Sequence, residues 1–193
     1  MRGYFGIGVE RITKTMNVGA LFRSAHAFGA SFVFTVAAEY VRTQGGRSDT
    51  SDSPGSVPFY SFPDVASLML PRGCALVGVE LLDEAVELPS FRHPRRAAYV
   101  MGPERGSLSP AMAARCDHVV KIPTRFCVNV GIAGAIVMYD RVLNLGRFPR
   151  RPEFPGGAVE PLPEHVFGDP VIRRKMDVFL DQPPVLGNDD GHG

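Results

Sequence analysis

Three short constellations hold most of this chain's capacity for chemistry. The first is Asn17-x-Gly19-x-x-x-Arg23, followed by Ser24, Ala25, Phe28 and Gly29. An arginine projecting from an apolar, alanine-rich stretch calls for a partner. Gly19 lies one helical turn before Arg23 on the same face, so another group can approach the backbone closely there. The same residues also read as a capping Asn, a capping Gly and a snorkelling Arg, and this motif alone leaves both accounts open.

The second constellation is Met101-Gly102-Pro103-Glu104-Arg105-Gly106-Ser107-Leu108-Ser109-Pro110. It is a glycine-bearing loop between an expected strand and an expected helix, the edge of an open α/β sheet where ligands sit. Glu104 and Arg105 can serve such a ligand or be plain turn residues. The loop is neither a phosphate-binding P-loop nor a dinucleotide fingerprint. The third runs Lys121-Ile122-Pro123-Thr124-Arg125-Phe126-Cys127-Val128-Asn129. Pro123 imposes an extended turn. Cys127, beside a helix N-terminus, can be a nucleophile of lowered pKa. With no histidine placed near it in sequence, a small buried filler is the simpler role for its thiol.

These residues need elements to hold them. Residues 129–145 read as a helix that is apolar nearly all round, so it must be buried against its own domain, a second subunit or both. Asn129 can cap its first turn, leaving N–H groups facing whatever lies there. Gly131, Ala133, Gly134 and Ala135 remove bulk from its early turns. Upstream, strands are expected at 4–9, 31–37, 75–81, 97–101 and 118–122, and helices at 17–28, 63–70 and 110–115. Strands alternating with helices predict an α/β fold, a mostly parallel sheet with helices on both faces. Residues 42–58 form a polar, Gly/Ser-rich loop without periodicity. Eight of the 17 prolines lie after residue 146. The expected organisation is therefore a domain at 1–146 and a proline-rich, partly disordered arm at 147–193, with one short helix at 171–180.

Composition sets further bounds. Twenty-one Lys and Arg against 20 Asp and Glu leave no global electrostatic footprint for nucleic acid. Residues 1–146 carry a net +3 and the rest −2, so local arginine clusters can still meet phosphate. Cys74, Cys116 and Cys127 show no Cys-x-x-Cys spacing, which predicts neither a disulfide framework nor a metal site. There is no run of about 18 apolar residues and no apolar signal-peptide core. The expectation is a soluble cytoplasmic protein that does not enter a membrane.

Taken in order, the three motifs resemble those of the SpoU/TrmH-type RNA ribose methyltransferases of the SPOUT superfamily, over residues 4–145. Asn17, Gly19, Arg23 and Gly29 match the first motif, and Gly102, Glu104, Leu108 and Ser109 the second. Ile122, Pro123, Asn129 and Val130 match the third. This chain departs from the family pattern in carrying Cys127 for a serine, Thr124 for a methionine and a shorter loop between Pro123 and Cys127. A later glycine of the second motif falls on Ser107, with Gly106 one place earlier.

The resemblance implies a SPOUT fold with a C-terminal deep trefoil knot and S-adenosyl-L-methionine as cofactor. It implies methyl transfer to a ribose 2'-hydroxyl of tRNA or rRNA. Carried over residue by residue, Leu81, Gly102, Glu104, Gly106, Ile122, Cys127 and Asn129 would enclose the cofactor. Arg23 would be the catalytic arginine, with Asn17 and Glu104 orienting it and the nucleotide. RNA would meet Arg23, Arg42, Arg47 and Arg125, with Arg95 and Arg96 as further candidates. Family members are homodimers through the knot helix, so its small residues are expected at the dimer seam. The first motif's early position resembles the minimal tRNA-modifying members, although an acidic, proline-rich arm is unlike a basic tRNA clamp. Two other readings remain. One is a non-catalytic RNA-binding protein with a SPOUT fold; the other is a small-molecule enzyme using Cys127 as nucleophile.

Overall fold

The computed structural model describes residues 3–39, 57–103 and 106–163. Seven strands form one parallel sheet: β1 (Tyr4–Glu10), β2 (Phe32–Val36), β3 (Phe59–Phe62), β4 (Ala75–Val79), β5 (Val86–Glu87), β6 (Arg96–Met101) and β7 (His118–Lys121). Their order is β3-β2-β1-β6-β4-β7-β5, and every pairing is parallel. Among the described residues three α-helices pack on the sheet: α1 (Thr15–Ala27), α2 (Pro110–Arg115) and, after the last strand, α3 (Val130–Leu145). All five strands expected from sequence are present, along with two short edge strands, β3 and β5, that were not expected. The expected mostly parallel α/β sheet is the one observed.

Alternation along β1 divides the core in two. Phe5, Ile7 and Val9 face one side, where they pack with Leu21 and Ala25 of α1 and Val137 and Met138 of α3. Gly6 and Gly8 face the other, and β2 is registered so that Gly6 stands opposite Phe32 and Gly8 opposite Phe34. A Cβ on Gly6 would fall 2.2 Å from the Phe32 ring, and one on Gly8 2.5 Å from the Phe34 ring. The glycines thus give the rings the space to lie flat over β1. Leu68, from the segment after β3, and Met112 of α2 complete that second layer.

Helix ends follow local chemistry. Ser109 caps α2 by accepting a bond from the Met112 N–H at 3.1 Å, and Pro110 occupies the first turn, where its missing donor costs nothing. After α1, Gly29 adopts φ +73°. The Gly29 and Ala30 N–H groups bond back to the His26 and Ala25 carbonyls, a Schellman close. The start of α1 differs from expectation, because Lys14 is the N-cap residue and Asn17 already lies inside the first turn. Asn17 is therefore not the cap of its own helix.

Residues 63–70 do not form the expected helix. Asp64 accepts a bond from the Ser67 N–H at 2.7 Å, and the Ser67 hydroxyl donates to the Asp64 carbonyl at 2.9 Å. Such local side-chain bonds satisfy a turn without continuing a helix. Arg115 of α2 then donates to the carbonyls of Val65 and Leu68, which holds the segment open.

At the strands' N-terminal edge lies a buried polar chain that nothing in the sequence advertised. Arg141 of α3 is 1% exposed and donates to the carbonyls of Pro94 and Arg95 and to the Tyr99 hydroxyl. Asp140 can only accept, so His93 Nε2–H donates to it at 2.8 Å. His93 Nδ1 then accepts from Tyr99 O–H at 2.6 Å. Burial lowers the His93 pKa against the pull of Asp140, and it pushes the Tyr99 phenol up to about 12.

By compactness the chain divides into Met1–Phe148 and Pro149–Gly193. In the second unit the described residues include a turn in which the Gly157 N–H bonds to the Phe154 carbonyl. The helix expected at 171–180 lies outside the described residues, as does nearly all of the polar loop at 42–58. Among the described residues no helix is long and apolar enough to cross a membrane.

Candidate active site

The C-terminal ends of β4, β6 and β7 and the N-terminus of α3 surround a cleft of about 350 Å³. That is within the size range of small-molecule sites. Six of the seven expected cofactor residues line it: Leu81, Gly102, Gly106, Ile122, Cys127 and Asn129. The seventh, Glu104, lies outside the described residues. Three segments far apart in sequence thus meet because parallel strands deliver their loops to one edge.

Asn129 joins the first and third motifs. Its side-chain oxygen accepts from the Gly131 N–H at 2.8 Å, capping α3 as expected, and its amide donates to the Asn17 side-chain oxygen at 3.0 Å. Asn17 lines the cleft too. The two helices can approach because α3 is thin where they meet. A Cβ on Gly131 would lie 3.2 Å from the Ala20 Cβ, and one on Gly134 2.3 Å from Leu21 Cδ1. Gly131 and Gly134 are therefore used inside the chain, against α1. The apolar residues that α3 leaves exposed are Ile132 at 56%, Tyr139 at 53% and Leu143 at 38%.

The loop between β6 and α2 is fastened by side chains that lie outside the three motifs. Glu80, just after β4, accepts from the Leu108 N–H at 2.8 Å and from the Leu81 N–H at 3.0 Å. Glu10, at the end of β1 and only 1% exposed, accepts from the Ser109 N–H at 2.8 Å and the Ser109 hydroxyl at 2.5 Å. Arg11 donates to the Ser107 carbonyl at 2.8 Å. Gly102 makes the arrangement fit, since a Cβ there would lie 3.0 Å from Glu80 Oε2 and from the Leu108 nitrogen. Carboxylates at strand ends were the available signal, but which loop they hold depends on strand order.

Other expectations fare differently. Cys127 is exposed at the cleft, not a buried filler, because Pro123 and the segment after it run along the surface. Arg125 is exposed between the lining residues Thr124 and Cys127. Arg23 is exposed on α1 outside the lining, about 9 Å along the helix axis from Asn17 at 1.5 Å per residue. Arg95 and Arg96 stand at the start of β6, the sheet edge opposite the cleft, so they are not part of its surround. Arg42 and Arg47 lie outside the described residues. No group of three or more His, Cys, Asp or Glu able to hold a metal occurs among the described residues.

A family model described as "SpoU rRNA Methylase family" matches residues 5–139. The chain belongs to that family. Among curated relatives, a 23S rRNA (guanosine-2'-O-)-methyltransferase of Acinetobacter baylyi is 24% identical over 142 residues, 69% of this chain and 57% of that protein. A tRNA (guanosine(18)-2'-O)-methyltransferase of Mus musculus is 23% identical over 67% of this chain and 9% of its own length. The match thus spans little more than half of the bacterial relative and a small part of the mouse one. Among solved structures, the SpoU methyltransferase AviRb from Streptomyces viridochromogenes in complex with AdoMet superposes with a TM-score of 0.65 at 24% identity. That match covers 74% of this chain and 61% of AviRb. The A. aeolicus TrmH/SpoU tRNA modifying enzyme gives 0.64 at 20% identity, over 72% and 74% of the two chains. At such identities the structural likeness establishes a shared fold.

Proposed function

We propose that this SpoU-family chain is an S-adenosyl-L-methionine-dependent RNA methyltransferase acting on a ribose 2'-hydroxyl of rRNA or tRNA. The observation that carries the reading is the cleft itself, with residues from all three motifs gathered at one sheet edge and Asn129 bonded to Asn17. The residues present fit the cofactor. The walls mix Leu81, Ile122 and Ala133 with polar groups, and backbone groups of the β6–α2 loop can make directional bonds.

When bound, S-adenosyl-L-methionine supplies a methyl group on an electrophilic sulfonium, so the protein's task is chiefly to position and to stabilise charge. Leu81, Gly102, Gly106, Ile122, Cys127 and Asn129 hold the cofactor, with Glu104 as a further candidate. Arg23 holds the target phosphate and stabilises charge on the attacking ribose oxygen, because a guanidinium donates in a bidentate fork. Asn17 and Glu104 orient Arg23 and the nucleotide, and Arg125 meets the RNA backbone beside the cleft. Arg42 and Arg47 belong to the same set of RNA candidates.

Arg23's position outside the cleft lining supports a site shared between two subunits. The exposed Ile132, Tyr139 and Leu143 lie at positions i, i+7 and i+11 of α3, one stripe suited to a second copy. The reading therefore includes a homodimer through α3, and, from the family resemblance alone, a C-terminal trefoil knot and a cytoplasmic location. Titration of S-adenosyl-L-methionine into the full chain tests it. Saturable binding is expected, whereas a flat titration would overturn the reading.

A further inference from the structure

Arg11 carries a backbone anomaly next to this cleft. Its φ is +50°, in the left-handed region that a residue with a Cβ avoids. Such a conformation persists only where surrounding structure over-determines it, and it clusters at functional sites. Two bonds fix it here: the Arg11 N–H donates to the Val36 carbonyl at 2.8 Å, and the guanidinium Nη2 donates to the Ser107 carbonyl at 2.8 Å. Ser107 is the residue between Gly106, which lines the cleft with φ +103°, and Leu108, whose N–H is held by Glu80. Arg11 itself does not line the cleft. A glycine would meet the backbone demand at position 11 without strain, so what the arginine adds is the hold on Ser107.

We propose that Arg11 is a positioning residue: its guanidinium, presented by a strained backbone, fixes the Gly106–Ser107 segment in the conformation that receives the cofactor. The inference rests on the cofactor reading above. Three carriers act on successive residues of one loop, with Arg11 on Ser107, Glu80 on Leu108 and Glu10 on Ser109. Only the first of them is held at the expense of local backbone energy.

Arg11→Gly separates fold from function, because it relieves the strain while deleting the hold. In the full chain it should leave the thermal midpoint unchanged or raised. It should also speed amide exchange at Ser107 and Leu108 in the ligand-free protein. S-adenosyl-L-methionine should bind about tenfold more weakly, the scale of one charge-assisted bond. In methyl transfer the loss should appear in KM for the cofactor with kcat little changed, and Arg11→Lys should recover part of the affinity. If wild-type protein binds S-adenosyl-L-methionine and Arg11→Gly binds it equally well, the inference fails while the cofactor reading stands. It fails equally if Arg11→Gly lowers the midpoint and Arg11→Lys restores stability and affinity in step, because Arg11 is then structural. If the wild type does not bind, the cofactor reading fails first.

Discussion

Arg23 and His93 show how little a residue's type says until its surroundings are known. Arg23 sits exposed on α1, away from the cleft lining, yet the proposed reading gives it the task of steadying a phosphate and a developing alkoxide. Replacing it with alanine should lower methyl transfer by about 100-fold or more, the usual scale for losing one such donor. Affinity for S-adenosyl-L-methionine, measured by calorimetry, should be retained; undiminished transfer would remove Arg23 from the chemistry. His93 faces Tyr99 on β6 and Asp140 and Arg141 on α3, and burial holds its pKa below the free value. The native ring resists a proton that the unfolded chain accepts below about pH 6.5. Stability contributed at neutral pH is therefore lost as pH falls. Thermal midpoints followed from about pH 8 to about pH 5.5 should drop in the wild type and drop less in His93→Gln. Equal slopes would place the titration elsewhere.

At the scale of elements, legibility tracked locality. Helix α2 could be read residue for residue because Ser109, Pro110 and the following apolar positions specify it within one turn. The same logic misread residues 63–70, where Asp64 and Ser67 close a turn and Arg115, 50 residues away from Val65, holds the segment open. Strands β3 and β5 are edge strands too short for a clear periodic pattern. Whereas the first motif runs along α1, the second and third were legible because each sits at strand and helix ends. The Glu10, Arg11 and Glu80 fasteners were not, since Glu10 and Ser109 lie 99 residues apart and meet only through strand order. Helix α3 was expected to be buried nearly all round, but only one face of it is buried in the chain, Ile132, Tyr139 and Leu143 stay exposed, and its glycines serve α1. Gly134→Val would press into Leu21, Ile7 and Met101. It should destabilise the fold by about 1–3 kcal/mol, the range for overpacking, as read from denaturant midpoints. A neutral result would mean that α1 and α3 are less closely packed than the geometry requires.

For the whole molecule, the parallel sheet explains why residues from positions 17 to 129 converge, and the exposed stripe on α3 suggests how two such molecules would meet. If Ile132, Tyr139 and Leu143 form that seam, sedimentation of the wild type should give twice the chain mass. Ile132→Glu with Tyr139→Glu should then give a folded monomer with little transferase activity. A wild-type monomer would require Arg23 to act within its own chain. The central claim is nonetheless the reaction. Its most direct test is to incubate the full chain with methyl-labelled S-adenosyl-L-methionine and rRNA or tRNA, hydrolyse the RNA with alkali and separate the products. Label should survive in alkali-resistant dinucleotides, because a methylated 2'-oxygen cannot attack the neighbouring phosphate. No incorporation into either RNA, or label released in mononucleotides with the methyl on a base, would contradict it.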